Sequence, residues 1–230
     1  MDDLGKTIDV MDLGEAAVCG GQGDVSACAG AKRRGRPRAF DPDLVLEQVL
    51  EIFWIRGFAA TSLDDISEAT GVSRPSLNAT FGDKEALYLK AMARYRSEIN
   101  AKLDQVLTCT GNGDTLQAII LRYFDVMIRS YTGETDDCLG CAFMCTALNE
   151  APSHESILGV LQNTIDEFDH RFEAFFTQAQ AYGHIGANQD PKVLSQMVTS
   201  LTSSLAVRAR AGASRADLQK IVEATAAFLF

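Results

Sequence analysis

No stretch of this 230-residue sequence approaches the roughly 18 consecutive apolar residues that a membrane-spanning helix needs. The first five residues, Met1–Gly5, are acidic and contain no apolar h-region, so we expect no secretory signal there. Six cysteines are too few in a chain of this length to build a disulfide scaffold. These absences predict a cytoplasmic protein with reduced thiols and no membrane partner.

Signatures of catalysis are missing as well. The three histidines, His154, His170 and His184, have no accompanying nucleophile and acid motif. The sequence contains no glycine-rich loop of the kind that cradles phosphate, and no pair of carboxylates with a recognisable geometry. We therefore expect neither an enzyme nor a bound cofactor.

Basic residues are scarce overall and concentrated in one place. The formal net charge is −10 at pH 7. Residues 1–31 contain six acids and one base among many Gly and Ala residues, which predicts a disordered acidic leader. Residues 32–38, Lys-Arg-Arg-Gly-Arg-Pro-Arg, contain five bases and no acid. Such a basic arm is either a solvated segment or an anchor for phosphate groups.

Helical periodicity dominates the rest of the sequence. Asp41 is a predicted N-cap, and Pro42 is the predicted first residue of a helix that ends at Gly57. Two short helices follow, and a long helix begins after Asp83 and runs to about Leu107. Five more helices are predicted near residues 114–131, 139–150, 154–182, 190–211 and 214–229. No alternating strand of useful length occurs, so the predicted fold class is all-α.

Residues 62–81 have the spacing of a helix-turn-helix, with two short helices joined by a four-residue turn that contains Gly71. Glycine suits this turn because it adopts a positive φ without steric cost. The second helix is expected to present polar side chains outward, where they can reach phosphates and base edges in a major groove. These residues are Arg74, Ser76, Asn78 and Thr80. An ordinary helical hairpin is the alternative interpretation of this segment alone.

A longer segment, residues 36–95, resembles the N-terminal DNA-binding domain of the TetR/AcrR family of transcriptional regulators. The matching blocks are Phe53 to Phe58, Ala60 to Leu63, Asp65-Ile66, Ala69, Gly71 to Ser73, Ser76-Leu77 and Phe81 to Leu87. The resemblance implies a three-helix reader of double-stranded DNA, followed by a variable helical domain that binds an effector and dimerises. The predicted segments are the leader (1–31), the basic arm with the DNA-binding domain (32–90) and the effector and dimerisation domain (91–230).

The same resemblance implies which residues contact DNA. Thr61 is expected to contact a phosphate at the start of the second helix, and Lys84 to hold the DNA backbone. Leu77 is expected to face the groove beside the outward polar residues, and the basic arm to enter the adjacent minor groove. The complete predicted set is Arg33, Arg34, Arg36, Arg38, Thr61, Ser62, Ser73, Arg74, Ser76, Leu77, Asn78, Phe81 and Lys84.

Asn78 departs from the family pattern, which usually has Tyr at this position. A contact made by the ring of that tyrosine is therefore in question here. Asparagine can instead pair bidentately with adenine, which would make Asn78 a specificity residue. A solvated or capping asparagine is the alternative.

Aromatic and Met side chains are spread through the C-terminal region. Such residues most often form a plain core, but in a regulator they can also line an apolar ligand cavity between helices. The predicted effector-binding residues are Phe124, Phe143, Phe172 and Phe176.

Three cysteines, Cys138, Cys141 and Cys145, fall at steps of three and four and share one face if a single helix includes them all. This pattern suits a thiol sensor, simple packing, or three metal ligands with His154 as the fourth. The Asp residues and one distant His make a poor tetrahedral set, so no metal is predicted. Cys141 is the predicted sensor, because a helix N-terminus lowers the pKa of a thiol. Asp136 and Asp137 oppose that effect.

Taken together, the residues and the resemblance predict a repressor that binds a palindromic operator as a homodimer through its last two helices, about 190–229. A small-molecule or electrophile effector acting on residues 114–182 is expected to release it from DNA, with helix four carrying the coupling. A thiol- or metal-binding helical protein with a vestigial helix-turn-helix is the alternative.

Overall fold

The computed structural model describes residues 40–107, 114–133 and 139–229, and every regular element in these ranges is helical. The predicted all-α fold class is confirmed for this part of the chain. None of its helices is long and apolar enough to cross a membrane. The helices are α1 (Pro42–Arg56), α2 (Leu63–Thr70), α3 (Arg74–Phe81), α4 (Lys84–Val106), α5 (Leu116–Thr132), a π-helical turn (Phe143–Ala147), α6 (Leu148–Glu150), α7 (Glu155–Ala181), α8 (Pro191–Arg210) and α9 (Arg215–Leu229).

The first three helices begin and end where their capping residues predict. The side chain of Asp41 accepts a hydrogen bond from the Asp43 amide at the start of α1. Ser62 and Asp65 form a reciprocal capping box at the start of α2, which satisfies backbone N–H groups that the helix itself leaves unpaired. Gly71 ends α2 in the left-handed conformation, with φ 67°. These local signals place α2 and α3 as the two arms of a helix-turn-helix.

Helix α4 connects the N-terminal helices to the remainder of the described chain. Near its start, the Tyr88 ring packs edge-on against Phe53, at 5.2 Å between ring centroids. Towards its other end, Ile99 and Leu103 are buried in the core that α5 and α7 help to form. The helix crosses residue 90, the predicted domain boundary, without interruption. One rigid element therefore contributes to both halves of the core.

The remaining helices form a bundle around α5 and α8. Two buried hydroxyl pairs cross it, Tyr88 with Thr146 at 2.6 Å and Tyr123 with Thr202 at 2.7 Å between oxygens. The predicted helix at 139–150 differs from the structure, because residues 139–141 are not helical and the next turn is the wider π-helical turn. The other predicted C-terminal helices are found within a few residues of their expected bounds.

The carbonyl oxygen of Leu139 joins three parts of the described structure. It accepts hydrogen bonds from the Trp54 indole at 2.9 Å, from Arg210 at 3.4 Å and from the Cys145 thiol at 3.5 Å. The adjacent Gly140 amide donates to the Tyr131 carbonyl at 2.9 Å. Leu139 and Gly140, here called the junction, thus connect α1, α5, α8 and the π-helical turn.

Gly140 is required at the junction by its backbone and its surroundings. Its φ is 68°, and a Cβ there would lie 2.7 Å from the Ala206 carbonyl oxygen. We predict that Gly140→Ala lowers the free energy of unfolding by about 2 kcal/mol or more, because it combines an unfavourable φ with a backbone clash. Thermal and denaturant unfolding followed by circular dichroism measure the change.

Gly159→Ala is the matched control, since Gly159 lies inside α7 with nothing within 4 Å of a built Cβ. This control is expected to leave stability unchanged or to raise it by up to about 1 kcal/mol. Equal stability of the two variants would contradict the role given to Gly140.

Candidate functional site

Helix α3 presents a small polar face to solvent. Arg74 and Asn78 are exposed, and Ser76 and Thr80 are partly exposed. Arg74 and Asn78 are one helical turn apart and lie together on one side of the buried Leu77 and Phe81. Ser76 and Thr80, also one turn apart, lie on another side of this eight-residue helix. A helix with such a face fits the recognition position of a helix-turn-helix, where it can lie in a major groove.

Arg74 is held in place by an acidic partner on α2. Its guanidinium lies 3.1 and 3.2 Å from the two carboxylate oxygens of Asp64. Both side chains are mostly exposed, so the pair contributes at most about 1 kcal/mol and can be exchanged for other acceptors. The pair orients the arginine without preventing it from reaching a base or a phosphate.

Three residues of the predicted DNA-binding set belong to the core instead. Leu77 is fully buried, and Phe81 and Thr61 are 4% and 1% exposed. Leu77 and Phe81 are one helical turn apart on the inner face of α3, where they belong to the hydrophobic core. The Thr61 hydroxyl donates to the Gly57 carbonyl at 2.7 Å. Their predicted contacts with DNA are corrected to packing and turn stabilisation.

Lys84 also has internal partners. Its Nζ donates to the carbonyls of Phe58 and Thr61, at 3.1 Å each, and lies 4.2 Å from the centroid of the Phe58 ring. The ammonium group therefore ties the loop between α1 and α2 to the start of α4. To make its predicted contact with the DNA backbone, Lys84 would have to give up these internal hydrogen bonds.

Two serines of the predicted DNA-binding set lie immediately before α2 and α3. Ser62 caps α2, and Ser73 precedes α3 with its hydroxyl 2.9 Å from that of Ser76. Both serines are exposed. The arginines of the basic arm, Arg33, Arg34, Arg36 and Arg38, lie outside the described residues.

A second site is a cavity of about 410 Å³ enclosed by α4, α5, the π-helical turn, α7 and α8. Its size is within the range of small-molecule sites, roughly 300–1,000 Å³. Its deep wall carries Tyr95, Tyr131 and Phe143, and its outer part carries Asp169 and Gln196. The full lining is Tyr95, Ile99, Met127, Tyr131, Cys141, Phe143, Met144, Leu161, Thr164, Ile165, Phe168, Asp169, Gln196, Thr199, Ser200, Thr202 and Ser203.

Of the predicted effector-binding residues, Phe143 lines this cavity. Phe124, Phe172 and Phe176 are buried in the closed core beside it, with the Phe172 ring 4.7 Å from that of Tyr123. The prediction missed Tyr95, although its spacing of four residues from Ile99 is a signal that both share one face of α4. It also missed Asp169, which the sequence marks only as an acid on a helix rich in phenylalanine.

The cysteines do not have the environment predicted for a reactive thiol. Cys141 lies on the cavity wall, and burial raises the pKa of its thiol to about 11, against smaller opposing effects from nearby backbone N–H groups. Burial also raises the pKa of Cys145. The predicted activation of Cys141 by a helix N-terminus is therefore wrong, because desolvation of the thiolate outweighs it. Cys138 lies outside the described residues.

His154 is occupied away from the cysteines. Its Nδ1 lies 3.1 Å from a carboxylate oxygen of Glu85, and its ring packs edge-on against Phe58 at 5.1 Å. The hydroxyl of Ser156 donates to the same carboxylate, and these hydrogen bonds lower the pKa of Glu85. In the described part of the chain, no three His, Cys, Asp or Glu side chains converge in a way that could hold a metal ion.

The helix-turn-helix with its polar outer face defines a DNA-binding regulator of the helix-turn-helix class. Residues 45–91 match the family described as bacterial regulatory proteins, tetR family. The chain is 30% identical to the HTH-type transcriptional repressor ComR of Escherichia coli K12 over 194 residues, covering 84% of this chain and 91% of ComR. The chain therefore belongs to the TetR family of DNA-binding transcriptional regulators.

Two further relatives extend this result. The chain is 24% identical to the regulator YezE of Bacillus subtilis, covering 85% of this chain and 99% of YezE. The fold matches the TetR family transcriptional regulator CifR, solved as a cysteine mutant with 26-bp double-strand operator DNA. The TM-score is 0.77 at 27% identity, covering 85% of this chain and 100% of CifR. These matches extend beyond the helix-turn-helix to most of the chain.

The raised thiol pKa leads to a prediction about reactivity. With a pKa of about 11, only about 0.03% of Cys141 is thiolate at pH 7.5. We predict that iodoacetamide alkylates Cys141 at least about tenfold more slowly in the folded protein than in guanidinium, where burial is lost. Mass spectrometry of the peptide that contains Cys141 measures the two rates. Similar rates in both states would show that the thiol is accessible and ionised after all.

Proposed function

We propose that this regulator is a repressor that binds a palindromic operator as a homodimer and leaves it when a small molecule occupies the cavity. The observation that carries the DNA-binding part is the exposed polar face of α3, centred on Arg74 and Asn78. The repressor assignment is supported by the relative ComR, which is named a repressor. Repression also suits a protein whose ligand cavity is separate from its DNA-reading helix.

Direct base readout is assigned to Arg74 and Asn78. Arginine donates in a fork that suits guanine, and the Asn amide both donates and accepts in the pattern of adenine. Ser62 and Ser73 are placed at helix ends from which short side chains contact phosphates. The basic arm adds phosphate contacts that carry no sequence information.

The dimer is assigned to the outer faces of α8 and α9. The apolar side chains of these helices lie on two sides. Leu194, Val198 and Leu205 are buried against their own chain. Val193 at 50%, Met197 at 42% and Phe228 at 86% are exposed. An unpartnered apolar face of this kind on two neighbouring helices fits a four-helix interface between two copies.

Coupling between cavity and DNA is assigned to α4, the junction and the Glu85–His154 contact. Tyr95 of α4 and Phe143 beside the junction both line the cavity, while Trp54 and Phe58 reach these elements from the N-terminal helices. A ligand that favours one arrangement of these contacts shifts the protein towards it. A reversible ligand is the better trigger than attack on Cys141, whose thiol pKa is raised.

The DNA-binding proposal is tested with an operator selected from random duplex DNA by the full-length protein. We predict that Arg74→Ala weakens operator binding by about 1–3 kcal/mol and relaxes sequence preference at one base pair per half-site.

Replacing Arg33, Arg34, Arg36 and Arg38 of the basic arm with Ala should instead weaken binding to all sequences. That variant should also flatten the salt dependence by about 0.9 in log–log slope per lost phosphate contact. Fluorescence anisotropy over a salt series measures both effects.

Lys102→Ala is the charge-matched control, because Lys102 is an exposed cation of α4 beyond the helix-turn-helix. It should change neither sequence preference nor salt slope appreciably. If Arg74→Ala behaves like this control, α3 is not the reading helix. An unchanged slope in the arm variant would remove the arm from the interface.

The dimer proposal has its own test. We predict that Met197→Glu converts the protein to monomer at micromolar concentration, because it places one charge from each copy in the centre of an apolar interface. Sedimentation velocity measures the mass. Leu148→Glu, which changes an apolar residue of similar exposure on α6, should remain dimeric. A monomeric wild-type protein, or a dimeric Met197→Glu variant, would count against α8 as the interface.

A further inference from the structure

The cavity carries charge of one sign. Among the described residues that line it, Asp169 is the one carboxylate, and none is Lys, Arg or His. Asp169 is partly exposed on the outer part of α7, whereas the deep wall consists of buried aromatic and aliphatic side chains. An anionic ligand would lose its hydration here without meeting a positive group, which is costly. The charge of the cavity therefore disfavours anions.

Three hydroxyl groups on the side of the cavity formed by α7 and α8 already donate their hydrogens within the protein. Thr164 donates its single hydroxyl hydrogen to the Val160 carbonyl at 2.8 Å, and Ser203 donates to the Thr199 carbonyl at 3.1 Å. Thr199 donates to the carboxylate of Asp169 at 2.6 Å. A hydroxyl that already donates its hydrogen within the protein can only accept a hydrogen bond from a ligand. This side of the cavity consequently suits a ligand that donates hydrogen bonds.

Aromatic rings form much of the remaining wall. Tyr95, Tyr131, Phe143 and Phe168 line it, and the Tyr95 and Phe143 rings are 5.3 Å apart. Such rings bind an apolar body, and their faces also attract a cation. The apolar part of a ligand therefore fits the deep wall, while a charged head fits the outer part, where residual hydration and Asp169 reduce the cost of burial.

We propose that the effector is a lipophilic amine, bound in its protonated form, with its ammonium group paired to Asp169 and its apolar body against the aromatic wall. The three N–H groups of the ammonium are available to the carboxylate and to the neighbouring hydroxyl oxygen of Thr199. This proposal specifies the ligand of the proposed function and rests on it for the regulatory consequence, but ligand binding itself can be measured without DNA.

The experiment uses three compounds with one apolar body and different heads, namely 4-phenylbutylamine, 4-phenylbutanol and 4-phenylbutanoate. Isothermal titration of the full-length protein at pH 7 gives their dissociation constants. We expect the amine to bind at least about tenfold more tightly than the alcohol, as a charge-assisted hydrogen bond predicts, and the carboxylate to bind most weakly. A carboxylate or alcohol that binds as tightly as the amine, or an amine that does not bind, overturns the proposal.

Asp169→Asn isolates the charge, because an Asn side-chain oxygen can still accept the hydrogen bond from Thr199. The variant should lose the preference for the amine and retain its affinity for the alcohol. Asp166→Asn, an exposed residue of α7 outside the cavity lining, is the matched control and should bind as wild type does. An amine preference that survives in a folded Asp169→Asn variant overturns the pairing. The charge series on wild-type protein decides the ligand class even if that variant does not fold.

Anisotropy with the selected operator separates this proposal from the proposed function. Tight amine binding that leaves operator affinity unchanged would support the cavity chemistry and contradict its regulatory role. If the protein binds the operator but binds the amine, alcohol and carboxylate equally well, the amine proposal is overturned and the regulator assignment stands.

Discussion

The described structure depends on the continuity of α4. This helix is buried along one side for most of its 23 residues, first against the N-terminal helices and then within the C-terminal bundle. Its turns are hydrogen-bonded into one continuous helix, which runs from Leu87 near α3 to Ile99 on the wall of the cavity. The three-helix reader is consequently not an independent module with a flexible tether.

The junction and the Glu85–His154 contact add further links between the N-terminal helices and the C-terminal bundle. Trp54 and Arg210, which belong to helices at opposite ends of the sequence, both donate to the Leu139 carbonyl. Arg210 also donates to the Ile55 carbonyl at 3.2 Å. A carbonyl shared by several donors has a narrow range of positions that satisfy them all. The junction therefore links the wall of the cavity to α1 and α8 through shared hydrogen bonds.

The cavity shows how a helical bundle can contain both a packed core and a ligand site. Phe172 and Phe176 are fully buried in the packed core. The Tyr95 hydroxyl, on the cavity wall, is buried without a well-formed hydrogen bond, and its polar neighbour is the Cys141 thiol. Burial raises the pKa of Tyr95 well above its ordinary value, so the phenol stays neutral. An incompletely satisfied polar group in a wall of this kind is a group that a ligand can still satisfy.

Local sequence signals were enough to predict most of the helices and the helix-turn-helix. Capping residues such as Ser62 and the positive-φ Gly71 act through their immediate neighbours, so local spacing was enough to predict α2, the turn and α3. Only the packing of distant helices shows which side chains are buried in the core, line the cavity or are exposed to solvent. Leu77 is buried, and Cys141 lies on the cavity wall, where burial raises the pKa of its thiol, because burial depends on helices distant in sequence. A cavity is the space that such helices leave between them, and no local pattern encodes it.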